Sequence, residues 1–237
     1  FYLAINQSAT LGVEDERDAA MRELFRDVRF RRAVSQAVDR DGVAQAIVRG
    51  PFLRAWPGGL YPGSPYFSRE SVVYYPYSPD TSSTLLADLG FEDTDGNGIL
   101  NWTSGPLEGE DLVISMNAAE DAVATVQIGE ALVALLGEVG IQVNLRPLTG
   151  PANEDNRLSG KWETVVERGA QEYAVPFTRA DELAPTRDER PFWHRADAGE
   201  RDLQPFEEEL VRIVNEFAQE PDSAKRIELM AEYNRIF

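Results

Sequence analysis

A long amphipathic helix that runs straight into a strand restricts the fold of this 237-residue chain more than any other sequence feature. Between residues 122 and 139, apolar side chains recur at the spacing of one helix face, namely Ile128, Leu132, Leu135, Leu136 and Val139. Gly140 ends this helix, and residues 141–145 then alternate between apolar and polar as a strand. A helix that returns directly to a strand predicts a sheet covered by helices.

Shorter patterns on both sides of this unit repeat the same theme. Alternating or apolar runs predict further strands at residues 1–6, 112–116 and 162–166. Helical spacing or capping signals predict helices at residues 14–25, 28–38, 41–50, 79–90, 153–158 and 206–217. A last helix is predicted after Pro221, running through Ile227, Met230 and Ala231 to Phe237. Residues 51–77 and 176–204 are rich in proline and other turn-forming residues, so both segments are expected to be irregular. Strands interleaved with helices predict an α/β fold.

Composition excludes several classes of function. The net charge is −18, from 41 acidic and 23 basic residues, which argues against nucleic acid or an anionic membrane as partner. The chain has no cysteine, so a thiol nucleophile, a cysteine-ligated metal and a disulfide framework are excluded. It also lacks a nucleophile elbow and a GxxxxGK[ST] phosphate loop. We therefore expect no enzyme, no catalytic residue and no cofactor.

Four segments together resemble one protein family. They are FRDVRFRRAVSQAVDRDGVAQAI, YPYSPDTSSTLLADLGFEDTDGNGIL, the helix-to-strand return ending in IQVNL, and PFEEELVRIVNEFAQEPDSAKRIELMAEYNRIF. In this order they resemble the peptide/nickel-type (family 5, cluster C) extracytoplasmic solute-binding proteins of ABC importers. The resemblance implies a mixed sheet flanked by helices, as one lobe of a two-lobed periplasmic-binding-protein-like fold.

The family also implies a set of partners. Its proteins clamp a small solute between two lobes and deliver it to the transmembrane subunits of an ABC permease. On this resemblance, residues 1–237 form a single C-terminal lobe, without the N-terminal lobe or the C-terminal return segment. The resemblance further implies a peptide-like solute and a location in the periplasm, or on a lipid anchor outside the cytoplasmic membrane.

A solute site is predicted after the strand at residues 162–166. In peptide binders of the family this region resembles "gW-aDYpdP", where an acid pairs with the ligand ammonium and an arginine with its carboxylate. Glu172 and Tyr173 occupy the Asp-Tyr positions, and Arg168 and Gln171 precede them. The acid here is Glu, and the aromatic residue before the motif is absent. A solvated charged loop is the alternative interpretation.

Three more residues are secondary candidates. Trp193 lies on an irregular segment and is predicted to line the ligand cleft, with Trp56 as a further candidate, although core packing is the alternative for both. His194 is the single histidine, so it cannot build a typical zinc site and no metal site is expected from it.

The run from Asp93 to Gly98, DTDGNG, offers an alternative function. It matches the first half of a calcium-binding loop, but Ser104 stands where a bidentate Glu is expected. The same residues also suit a tight turn. A calcium-dependent interaction module is therefore the alternative to solute capture.

Overall fold

The computed structural model describes residues 1–47, 60–168, 176 and 179–237. The chain divides into two compact units. The first unit comprises Phe1–Ala55 and Tyr75–Arg168, and the second comprises Trp56–Tyr74 and Gly169–Phe237. That residues 1–237 form a single C-terminal lobe stays a prediction.

The first unit is an α/β structure, as predicted. In chain order its elements are β1 (Tyr2–Ile5), α1 (Glu16–Arg26), α2 (Val28–Ala37), α3 (Arg40–Ile47), α4 (Pro79–Asp88), β2 (Phe91–Glu92), β3 (Asn101–Trp102), β4 (Val113–Ala119), α5 (Val123–Gly137), β5 (Gln142–Leu148), α6 (Gly150–Ser159) and β6 (Thr164–Glu167). The main sheet has the order β1-β6-β4-β5. Strand β4 is parallel to β5 and β6, and β1 is antiparallel to β6. The mixed sheet expected from the sequence is therefore confirmed.

Local capping signals explain where several helices begin. The Asp27 side chain accepts a hydrogen bond from the backbone N–H of Arg29 and caps α2. The Ser78 side chain caps α4, with Pro79 at its first turn. Asp39 Oδ1 accepts from the N–H of Gly42 at 2.9 Å and caps α3. The predicted end of α3, at residues 48–50, lies outside the described residues.

One apolar core holds the first unit together. Phe25, Phe30, Leu136 and Ile141 are among its fully buried side chains. The stripe predicted for α5 lies mostly in this core, because Ile128, Leu132 and Leu136 are buried there. Burying a side chain of this size contributes about 1.5–3 kcal/mol, so this core is the main stabilising element of the unit.

The turn before β6 is fixed by a buried arginine. Arg22 donates from Nη2 to the Gly160 carbonyl at 2.7 Å and from Nη1 to the Trp162 carbonyl at 2.8 Å. The Asn6 amide also donates to the Trp162 carbonyl, at 3.0 Å. Desolvation lowers the pKa of Arg22 to about 10, against the raising effects of Glu163 and Asp18, so the guanidinium stays charged at neutral pH.

The second unit is helical in the part that the structure describes. It contains α7 (Ala180–Leu183), α8 (Pro205–Gln219), α9 (Ser223–Ile236) and single 3-10 turns at Arg69–Ser71 and Phe192–His194. Helices α8 and α9 form the predicted closing pair, and Leu210, Ile213 and Phe217 lie in a second apolar core. The hydroxyl of Tyr233 in α9 donates to the Leu183 carbonyl at 2.8 Å, which ties α9 to α7.

Two elements differ from the sequence-based predictions. The two-residue strands β2 and β3 pair around residues 93–100 and were not predicted, because two residues are too few to show alternation. The short helix α7 lies within residues 176–204, which were expected to be irregular. Within the described ranges, none of the helices combines the length and apolar character that a membrane span requires.

Candidate functional site

The topology of the main sheet marks one edge as the place for a ligand. The chain leaves β4 through α5 to β5 on one side, and then crosses through α6 to β6 on the other side. Because the three strands are parallel, their carboxyl ends meet at one edge, where the strand order reverses at β4. Open α/β sheets bind ligands at such a switch point. The N-terminal ends of α5 and α6 also lie at this edge, because α5 follows the carboxyl end of β4 and α6 follows that of β5.

A group of polar side chains joins α6 to the carboxyl end of β6. Arg157 Nη1 lies 3.0 Å from Glu167 Oε1, and Arg157 Nε lies 3.5 Å from Glu154 Oε2. The Glu167 side chain is 18% exposed and that of Arg157 is 23% exposed. Burial raises the pKa of Glu167, while Arg157, the N–H of Arg168 and the Asn153 side chain oppose the rise. The native structure thus disfavours the charge on Glu167 relative to water.

Asn153 completes this group, which we call the α6–β6 cluster: Asn153, Glu154, Arg157 and Glu167. Asn153 is almost fully buried, and its Oδ1 has no hydrogen-bond partner among the described residues. A buried polar atom without a partner costs about 1–3 kcal/mol and therefore needs an explanation. The cluster was not among the predicted site residues, although the position of α6 directly after a parallel strand is a signal that could have indicated it.

The predicted solute residues are only partly described. Arg168 directly follows β6 at the ligand edge of the sheet and is exposed. Gln171, Glu172 and Tyr173 lie outside the described residues, as does Trp56. Trp193 belongs to the second unit, in the 3-10 turn Phe192–His194, and is partly exposed. All five predicted solute contacts therefore stay predictions.

His194 has a structural environment. Its side chain is 1% exposed, and its Nδ1 lies 2.5 Å from Oε1 of the fully buried Glu207. Glu207 Oε2 also accepts from the backbone N–H of Gln204 at 2.8 Å, at the start of α8. This pair joins the 3-10 turn to α8 within the second unit.

The run from Asp93 to Gly98 uses its oxygens within the turn. Asp93 accepts from the N–H groups of Gly96 and Gly98, and Asp95 and Asn97 each accept from the N–H two residues ahead. Among the residues that the structure describes, no group of three or more His, Cys, Asp or Glu side chains could hold a metal ion. The β2–β3 connection therefore has the geometry of a turn, the second interpretation offered by its sequence.

A family model decides the membership of the chain. Residues 1–188 match the model for bacterial extracellular solute-binding proteins, family 5 Middle. The chain belongs to this family. The resemblance seen in the sequence is thereby confirmed, and so is the expectation of a binding protein rather than an enzyme, because the family is described by solute binding.

Two known proteins are similar to nearly the whole chain. The periplasmic alpha-galactoside-binding protein of Rhizobium meliloti (strain 1021) is 37% identical over 226 residues, which is 95% of this chain and 33% of that protein. The structure of the periplasmic binding protein MelB from Agrobacterium fabrum C58, in complex with stachyose, is 33% identical with a TM-score of 0.95. That match covers 99% of this chain and 35% of MelB.

A solved structure of lower identity shares the fold alone. The oligopeptide-binding protein AppA of Bacillus subtilis, solved with a nonapeptide, is 15% identical with a TM-score of 0.72, over 99% of this chain and 41% of AppA. The chain spans about a third of the length of its two more similar relatives. The fold is therefore that of part of a periplasmic binding protein.

Proposed function

We propose that this chain is part of the solute-binding component of an ABC import system, and that its solute is an α-galactoside oligosaccharide. The observation that carries the proposal is the similarity to MelB, at 33% identity and a TM-score of 0.95 over 99% of the chain, since MelB was solved with stachyose. The alpha-galactoside-binding relative supports the same solute class independently. Capture takes place outside the cytoplasmic membrane, in the periplasm or on a lipid anchor. The partners are an N-terminal lobe and the transmembrane permease subunits.

This solute replaces the peptide-like ligand expected from sequence. The likeness to AppA, at 15% identity, supports the fold and not the ligand. A neutral oligosaccharide has no terminal charges, so Arg168 and Glu172 are proposed to hydrogen-bond hydroxyl groups rather than pair with peptide termini. Gln171, Tyr173 and Trp193 complete the proposed contacts. The absence of the peptide-binder aromatic before Glu172 agrees with this change of ligand.

Import into intact cells tests the proposal. Deleting the coding sequence from its host is expected to abolish uptake of radiolabelled stachyose, and a plasmid copy of the gene is expected to restore it. Uptake of the β-galactoside lactose serves as the control and should persist in the deletion strain. Unchanged stachyose uptake in the deletion strain, together with lost uptake of an oligopeptide, would return the peptide assignment.

Substitution of Trp193 tests one of the proposed solute contacts. Its partly exposed ring lies 6.3 Å from the ring of His194, on an irregular segment of the kind that lines ligand clefts. Replacing Trp193 by Ala is expected to weaken stachyose affinity of the complete protein about tenfold, equivalent to about 1.4 kcal/mol. Calorimetry measures the change, and Trp193→Phe, which keeps an aromatic surface, should retain most of the affinity. Full affinity in Trp193→Ala would remove this residue from the site.

A further inference from the structure

A glutamate–arginine ion pair lies at each end of β6, but the two pairs have different surroundings. Glu163, before the amino end, pairs with Arg17 at 2.7 Å. Both members of that pair also bind the backbone of β4, because Ser115 N–H donates to Glu163 Oε2 at 2.5 Å and Arg17 Nη2 donates to the Val113 carbonyl at 2.9 Å. This pair therefore fastens β6 to β4.

Glu167, at the carboxyl end of β6, contacts side chains of α6 rather than the backbone of a neighbouring strand. Its partners in the α6–β6 cluster are the Arg157 guanidinium at 3.0 Å and the Asn153 amide, both from α6. Arg157 lies in the last turn of α6, but its guanidinium reaches Glu167 at the carboxyl end of β6, which is the edge where a sheet of this topology takes its ligand. The Arg157 side chain is 23% exposed. A guanidinium carries five N–H donors in a fixed plane, and a carboxylate on one side orients the others.

The energetics of the cluster also indicate a role other than stability. Burial raises the pKa of Glu167, so the native structure would favour a neutral group at this position. Asn153 is buried with its Oδ1 lacking a partner among the described residues, a further cost to folding. Polar groups kept against stability are typical of functional sites.

We propose that Arg157 is a solute-contacting residue that donates hydrogen bonds to hydroxyl oxygens of the oligosaccharide, and that Glu167 and Asn153 are positioning residues that orient its guanidinium. This inference rests on the proposed function, and it adds residues that the sequence motif did not include. The proposed contact between Arg157 and the solute lies on the side of the sheet edge that α6 covers.

Calorimetric titration of the complete protein with stachyose, paired with urea unfolding, tests this assignment. Arg157→Met is expected to lower affinity roughly tenfold or more, as the loss of a charged hydrogen-bond donor implies. Glu167→Gln is expected to lower affinity roughly tenfold while its urea midpoint stays at or above that of the wild type. Glu163→Gln is the matched control at the other end of the strand, and it should lower the urea midpoint and leave affinity unchanged.

The outcomes distinguish a failure of this inference from a failure of the proposed function. If the wild type binds stachyose and both Arg157→Met and Glu167→Gln bind it equally well, this inference is wrong and the proposed function stands. If Glu167→Gln lowers the urea midpoint as much as Glu163→Gln does, the cluster is structural and the inference is again wrong. If the wild type takes no α-galactoside, the proposed function fails, and the inference fails with it.

Discussion

Replacing Gly160 by Ala is expected to destabilise the protein by about 3 kcal/mol. Gly160 ends α6 with φ +72°, in the left-handed region that costs other residues about 1–2 kcal/mol. A Cβ at this position would lie 2.4 Å from the Leu11 carbonyl oxygen, which is backbone and cannot rotate away. The resulting shift would also disturb the Gly160 carbonyl that Arg22 binds.

Gly105 is a matched control, because its backbone also has a positive φ but the space around an added Cβ is open. Its φ is +85°, and a Cβ there would meet nothing within 4 Å. Gly105→Ala should therefore cost only the backbone term, about 1 kcal/mol. Urea unfolding of both variants, followed by tryptophan fluorescence, gives the comparison. Equal losses in the two variants would show that the close approach of Leu11 and Gly160 does not constrain the native backbone.

Removing the Glu207 carboxylate is expected to cost about 3 kcal/mol. The Glu207→Ala variant would leave the buried Nδ1 of His194 without its carboxylate partner and the N–H of Gln204 without its acceptor. Both losses act on fully or partly buried groups, where an unmatched polar atom is penalised most. The expected result is a lower urea midpoint, with loss of helical signal from the second unit.

Glu208 is the matched control for this experiment. It is the next residue in the same first turn of α8, but it is exposed. Glu208→Ala should change the free energy of unfolding by less than about 0.5 kcal/mol, as expected for an exposed site. A Glu207→Ala variant as stable as Glu208→Ala would show that the buried pair with His194 contributes nothing net.

Features encoded locally were predictable from the sequence. Asp27 and the Ser78-Pro79 pair begin helices through contacts within three residues, so their capping follows from residue type and spacing alone. The helix and strand around Gly140 were predictable for the same reason, because periodicity reports which face is buried. The family resemblance added the architecture into which these elements assemble.

Features that depend on distant residues were not predictable. In the sequence, Arg22 is indistinguishable from a surface arginine of α1. Only the fold brings it to the Gly160 and Trp162 carbonyls, about 140 positions away along the chain. The α6–β6 cluster likewise requires the crossover of α6 over β4, which places Asn153 and Arg157 beside Glu167. The solute class was beyond the sequence as well, because peptide and oligosaccharide binders share this fold.

Calorimetric titration of the complete protein with stachyose is the most direct test of the proposed function. We expect a saturable isotherm with stachyose and no heat of binding with an oligopeptide such as a nonapeptide. If the protein is specific for α-galactosides, as proposed, binding should persist for a shorter α-galactoside and vanish for its β-linked counterpart. A silent titration with stachyose, alongside saturable binding of the nonapeptide, would contradict the account and identify a peptide-binding protein.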